Sequence, residues 1–196
     1  MKTKKGARLI MFNIKHIYLQ NKGFTLLEVL LTLGISSIII LSLFCILDFS
    51  IDACTLSDEK DELILNGRYA IEYIKDDIKS ADKIISSDKI VGLNTKFPTN
   101  IGFVMIIDEE NGSYRYITYH LNSNKIVRMA CTRFNEEYPS SYYFDGYNDL
   151  CEYVDDISDT KFMTELNIVY LDFKFKKNNS ELNLKSNVFI RCPIDY

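Results

Sequence analysis

Apolar residues are spread unevenly along the 196-residue chain. From Phe24 to Leu47 they run almost without interruption, and Glu28 is the single charge in that stretch. A helix over these residues is ~36 Å long at ~1.5 Å per residue, enough to cross a ~30 Å hydrocarbon core with some tilt. The period then changes. Between Asp48 and Ile85 there is no proline and one glycine, Gly67. Apolar residues recur there at Ala53, Leu56, Leu63, Ala70, Ile71, Ile74, Ile78 and Ala81. Spacings of three, four and seven mark one stripe of an amphipathic helix, predicted over 48–86. The opposite face carries Asp58, Glu59, Asp61, Glu62, Glu72, Lys75, Asp76 and Lys79.

From about Ile90 onward strand signals dominate. Ile101–Ile107 is a buried-type apolar run, and Asp108–Ser113 holds an Asn-Gly turn signal. Tyr114–Leu121 alternates and is rich in β-branched and aromatic residues, and Asn122–Asn124 turns the chain into Lys125–Ala130. Residues 135–161 read as an irregular section of clustered Tyr, Ser, Asp and Gly. A last hairpin is predicted from Leu166–Phe175, a turn over Lys176–Glu181, and Leu182–Arg191. A helix followed by antiparallel hairpins is an α+β arrangement, with enough chain for one core on one sheet face.

Charge divides the chain at the same point as hydropathy. Residues 1–23 hold Lys2, Lys4, Lys5, Arg8, Lys15 and Lys22 and no acid, whereas residues 24–196 sum to −10 within a net charge of −4. Basic residues stay on the cytoplasmic side of a membrane segment, and an acidic remainder is free to cross. The span is too long for the apolar region of a secretory signal peptide, and no small-x-small cleavage site follows it. An N-terminal signal anchor satisfies these facts. Glu28 does not fit so simple a reading, because a carboxylate in hydrocarbon is costly unless paired. A cut between Gly23 and Phe24 would create an α-amine at Phe24, and Glu28 of one copy could neutralise the amine of its neighbour.

Lys22-Gly23-Phe24-Thr25-Leu26-Leu27-Glu28-Val29 resembles the type IV prepilin cleavage and methylation motif, and the span to Leu47 fits that family. The family pattern is a basic leader ending in Gly, then Phe and Thr, with Glu as the fifth residue of the mature chain. The resemblance implies that prepilin peptidase removes residues 1–23 on the cytoplasmic face and methylates the amine of Phe24. It implies a single-pass precursor in the cytoplasmic (inner) membrane, N-terminus inside and C-terminal domain outside. Filament assembly with other pilins or pseudopilins would follow, through the N-terminal helix and with an assembly-platform membrane protein. The filament would lie at the cell surface or in the periplasm. Arg68–Ala81 is also similar to the corresponding helix of J-type minor pseudopilins.

The expected architecture is therefore α+β. A long N-terminal α-helix, half transmembrane and half amphipathic, packs on an antiparallel β-sheet in the pilin-like lollipop. Residues 1–23 form the leader, 24–47 the transmembrane or filament-core helix, 48–86 the stem and 87–196 a β-rich domain. The expected function is a minor pilin or pseudopilin subunit of a type IV pilus or of a type II secretion or competence-type pseudopilus. The alternative is a non-assembling, signal-anchored extracytoplasmic binding protein.

The remaining chemistry adds little. Cys54, Cys131, Cys151 and Cys192 would lie outside the membrane, where disulfides form readily, and Cys45 lies in the span. Four cysteines allow three pairings. A Cys131–Cys151 bridge would tether the irregular section, and free thiols are the alternative. Asp145, Asp149, Asp155, Asp156 and Asp159 lack the spacing of an EF-hand and read as a solvated acidic loop, with calcium as the other option. Tyr138, Tyr142, Tyr143, Tyr147 and Tyr153 suit either protein contacts or loop packing. Basic residues are interleaved with acids, with Lys174, Lys176 and Lys177 the one local patch, so no nucleic-acid partner is expected. No G-x-S-x-G, phosphate-binding Gly loop or H-E-x-x-H occurs, so neither enzyme activity, metal nor cofactor is expected.

Overall fold

The structure, a computed structural model, describes residues 23–134 and 137–195. The basic leader expected over 1–23 lies outside the described residues except for Gly23. The chain divides into two units at Phe49/Ser50. A single helix, α1, spans Leu26–Ser80.

In the first unit α1 has no core of its own. Leu30, Leu33, Ile39, Leu43 and Leu47 are all more than half exposed. The helix is long and apolar enough to cross a membrane, and its most apolar window is entirely unburied. Three of its hydroxyls bond back to the helix. Thr32 donates to the Val29 carbonyl at 2.9 Å, Ser37 to Gly34 at 2.7 Å and Ser42 to Ile38 at 2.8 Å. In hydrocarbon, where water offers no alternative partner, such back-bonding removes the cost of an open hydroxyl.

In the second unit the buried stripe of α1 is Leu63, Gly67, Ala70, Ile71, Ile74 and Ile78. Ala53 and Leu56, expected on the same stripe, are exposed, so the buried face begins at Leu63 and not at Ala53. The helix also ends before residue 86. It stops at Ser80, and Lys83–Ser86 forms strand β1. Ile84 and Ile85 are completely buried on opposite faces of that strand. Adjacent β-branched residues suit a pleated strand buried on both sides better than a helix end.

The strands are β2 (Phe103–Asp108), β3 (Tyr114–Asn122), β4 (Lys125–Arg133), β5 (Gly146–Cys151), β6 (Val154–Asp156), β7 (Lys161–Met163), β8 (Ile168–Lys177), β9 (Ser180–Phe189) and β10 (Ile194–Asp195). One sheet has the order β10-β1-β2-β3-β4-β5, antiparallel except where β10 joins β1. In the second, β8 pairs with β6 and β7 and also with β9. The architecture is the expected long helix packed on a largely antiparallel sheet.

The six-stranded sheet is covered on both faces, not on one. Phe103 and Met105 of β2 join the core with α1 and the second sheet. Val104 and Ile106 join a separate core under Ile90, Leu93, Phe97 and Phe144. This two-sided burial explains why β2 reads as a continuous apolar run instead of alternating.

Asparagine sets the tight turns. Ser123 and Asn124, both at positive φ, close β3–β4 with Asn122 opposite Lys125. The turn expected over Lys176–Glu181 shrinks to Asn178 and Asn179, because Asn178 accepts φ 49° and Lys177 pairs with Ser180. The section expected to be irregular contains β5 and β6. Four consecutive exposed positions in β5, Gly146–Asp149, hide its alternation from a sequence pattern.

Candidate processing and assembly site

Gly23, Phe24 and Thr25 precede the first helical turn, and Phe24 is 81% exposed. Thr25 caps α1. Its Oγ1 accepts from the Glu28 backbone N–H at 3.2 Å, and Glu28 Oε2 accepts from the Thr25 N–H at 2.9 Å. The Thr25 hydroxyl also donates to Glu28 Oε2 at 2.9 Å. This is a reciprocal capping box: two backbone donors that the helix cannot satisfy internally are satisfied by one Thr and one Glu. The negative carboxylate also lies at the positive end of the helix dipole.

Glu28 therefore has a local role that the sequence reading missed, and Thr25 belongs to the site with it. The signal was present as Thr25-x-x-Glu28 before an apolar run. Within one chain Glu28 Oε2 is engaged by its own helix start. Its Oε1 accepts no hydrogen bond among the described residues.

The five cysteines are free. Cys131 and Cys151 do not form the bridge considered above. On the β4–β5 ladder Cys151 faces Ile126, five residues from Cys131. At ~3.4 Å per residue this separates them by ~17 Å, against a Cα limit of ~7 Å for a disulfide. They also belong to different cores. Burial pushes both thiols up to about 12.

Two lysines pair with part of the acidic loop. Lys125 contacts Asp149 at 3.1 Å and Glu152 at 2.8 Å. Lys174 contacts Asp156 at 2.8 Å and Asp159 at 2.9 Å. The Lys174 ammonium, with the Ser158 backbone N–H, holds the Asp156 carboxyl at about 2. No cluster of three or more metal-ligating side chains occurs among the described residues. The basic patch is likewise internally paired, with Lys176 on Glu181 and Lys177 on Glu62. Tyr142, Tyr143 and Tyr147 are 82%, 44% and 55% exposed, and the Arg133 guanidinium lies 3.9 Å from the Tyr143 ring centroid.

No curated protein and no solved structure matches the chain. A family model does match at the N-terminus, covering the capped helix start, Glu28 and most of the apolar span. Through residues 19–44 the chain carries the prokaryotic N-terminal methylation motif, the prepilin motif of type IV pilin-like proteins.

Proposed function

We propose that the protein is a minor pilin or pseudopilin, a structural subunit of a type IV pilus or of a type II secretion or competence pseudopilus. The observation that supports this reading best is the first unit of α1. It is an apolar helix left unburied by the described residues, overlapping the prepilin motif and holding one acid in its first turn. Exposed apolar surface of this extent needs lipid or other helices around it.

In this reading prepilin peptidase cuts between Gly23 and Phe24 and methylates the Phe24 amine. The subunit waits in the cytoplasmic membrane with its C-terminal unit outside. An assembly-platform membrane protein then engages it, and its span packs against those of other subunits. Gly34, Ser36 and Ser37 allow close helix approach. Cleavage changes what Glu28 faces, because a new ammonium appears one residue before its capping partner Thr25. Its free Oε1 suits that ammonium or the one of a neighbouring subunit, and such pairing lowers the cost of a carboxylate in hydrocarbon.

Intact mass spectrometry of the chain from a peptidase-positive cell tests the first step. The expected product begins at N-methyl-Phe24. Glu28→Ala is expected to leave cleavage intact and to remove the chain from sheared filament fractions. An uncleaved chain in that cell refutes the proposal and favours a signal-anchored binding protein.

A further inference from the structure

The second unit leaves two substantial strand edges without a neighbour among the described residues. β5 ends the six-stranded sheet, and β9 pairs with β8 on one side only. β9 is ten residues long, and β5 is exposed on both faces from Gly146 to Asp149. Each edge also presents backbone groups that the fold does not use. A two-residue turn closes on a hydrogen-bonded pair, and bonded and non-bonded pairs then alternate along the ladder. The β8–β9 turn closes on Lys177 and Ser180, so Ser186 and Val188 bond to β8 while Asn187 and Phe189 aim their N–H and C=O outward. By the same count from Asn122 and Lys125, Arg128 and Ala130 bond to Asn148 and Gly146, and Tyr147 and Asp149 aim theirs outward. Such an edge is a template for a further strand.

The two edges match each other in one antiparallel register. With Tyr147 opposite Phe189, Asp149 falls opposite Asn187 and Asp145 opposite Arg191, and unused backbone groups meet unused backbone groups. Phe189 and Tyr147 are both more than half exposed. Arg191 and Asp145 are exposed, and neither has an ion-pair partner among the described residues. On the α1 side of β9, Val188, Lys75, Ile78 and Arg191 help to line a cavity of about 280 Å³. Opposite residues of a ladder face the same side, so Asn148, opposite Val188, would enter that cavity. Like edges fit less well. β5 against β5, centred on Tyr147, sets Asp145 beside Asp149. β9 against β9 offers Arg191 only Glu181, which Lys176 already holds at 2.6 Å.

We propose that β9 of one chain takes β5 of a second copy as an added antiparallel strand, with Phe189 opposite Tyr147. Backbone bonds supply the sequence-independent part of the contact, and the aromatic and Arg191–Asp145 pairs set its register. The contact joins unlike surfaces, so it does not close on itself, and its repetition extends a row of copies. It rests on the reading of the chain as a filament subunit, in which spans packed side by side raise the local concentration of the outer units.

The full chain in nonionic detergent, with Asn187 replaced by the photo-cross-linker p-benzoylphenylalanine, provides the test. Illumination is expected to give a product of twice the chain mass whose joined peptide contains residues 145–149. A separate chain with the cross-linker in place of Leu41 reports contact between spans. Arg191→Asp and Asp145→Arg should each cut the yield from position 187 about threefold, and the two together should restore most of it, because every contact then holds a reversed pair. Near-UV circular dichroism checks that each variant is folded. Absence of the dimeric product, a joined peptide outside β5, or no recovery in the double exchange overturns the proposal. A product joining β9 to β9 assigns a symmetric dimer and overturns it as well. A product from position 41 without one from position 187 overturns the strand contact and leaves the filament reading standing.

Discussion

Asp77 is the polar pin between α1 and the six-stranded sheet. Arg128 Nε donates to Asp77 Oδ2 at 2.7 Å, and the Tyr119 hydroxyl donates to the same oxygen. The two charged side chains are only 15% and 16% exposed, and the Tyr119 side chain is fully buried. Asp77→Ala strands a guanidinium and a hydroxyl in the interior. At ~4 Å and an effective dielectric of ~20 the lost attraction is about 4 kcal/mol. Removing one partner of a buried pair costs about 3–5 kcal/mol, which already includes much of that attraction. The residual solvent access and the better helix propensity of Ala reduce the figure, and we expect a loss of about 3 kcal/mol. Arg128→Met in the Asp77→Ala background should recover at least about 1.5 kcal/mol, because it removes the unpaired charge and keeps the side-chain volume. Urea unfolding of the full chain in nonionic detergent, followed by tyrosine near-UV circular dichroism, measures both. A loss below about 1 kcal/mol for Asp77→Ala, or additivity of the two substitutions within about 0.5 kcal/mol, would refute the assignment of this pair as the pin.

Other outcomes follow from single features. At Gly67 an added β-carbon would overlap Leu184 Cδ1 and lie 3.0 Å from Phe175 Cε2. Gly67→Ala should therefore destabilise by up to about 2 kcal/mol despite the ~1 kcal/mol gain in helix propensity, and Leu184→Ala should relieve part of that in a double-mutant cycle. With thiols near 12, Cys131 and Cys151 should carry only ~10⁻⁴ thiolate at pH 8 and react with a disulfide reagent only after denaturation, whereas exposed Cys54 reacts at once. Non-reducing peptide mapping should find no Cys131–Cys151 link. Burial lowers the His120 imidazole below its usual 6.5, so the unfolded chain binds that proton more readily. Stability should then be complete above pH ~6.5 and fall as pH drops below it, and His120→Gln should remove that slope in urea midpoints. Asp156, held at about 2, should lose its contribution lower still, as pH falls from about 4 through 2.

The N-terminal span, its acid and the hairpin order were legible in the sequence because each depends on local pattern. An uninterrupted apolar run needs no tertiary partner to be recognised, and the alternation in β3 reflects its own pleat. Thr25 was legible too, through its three-residue spacing to Glu28, but the intersubunit role imagined for Glu28 obscured its capping role. Helix length was not legible. Ile84 and Ile85 fit a helical stripe in sequence, and only pairing with Met105 and Val104 of β2 makes them a strand. The Cys131–Cys151 bridge failed for a related reason, since proximity in an unstructured loop became separation along a ladder once β5 formed. The pin formed by Asp77, Tyr119 and Arg128 was wholly out of reach, because these residues come from α1, β3 and β4 and share no sequence period. Local pattern determined which segments are helix, span or strand; register across β1, β2 and β3 decided which side chains meet, because cross-strand neighbours are set by backbone pairing over distances that no sequence window contains.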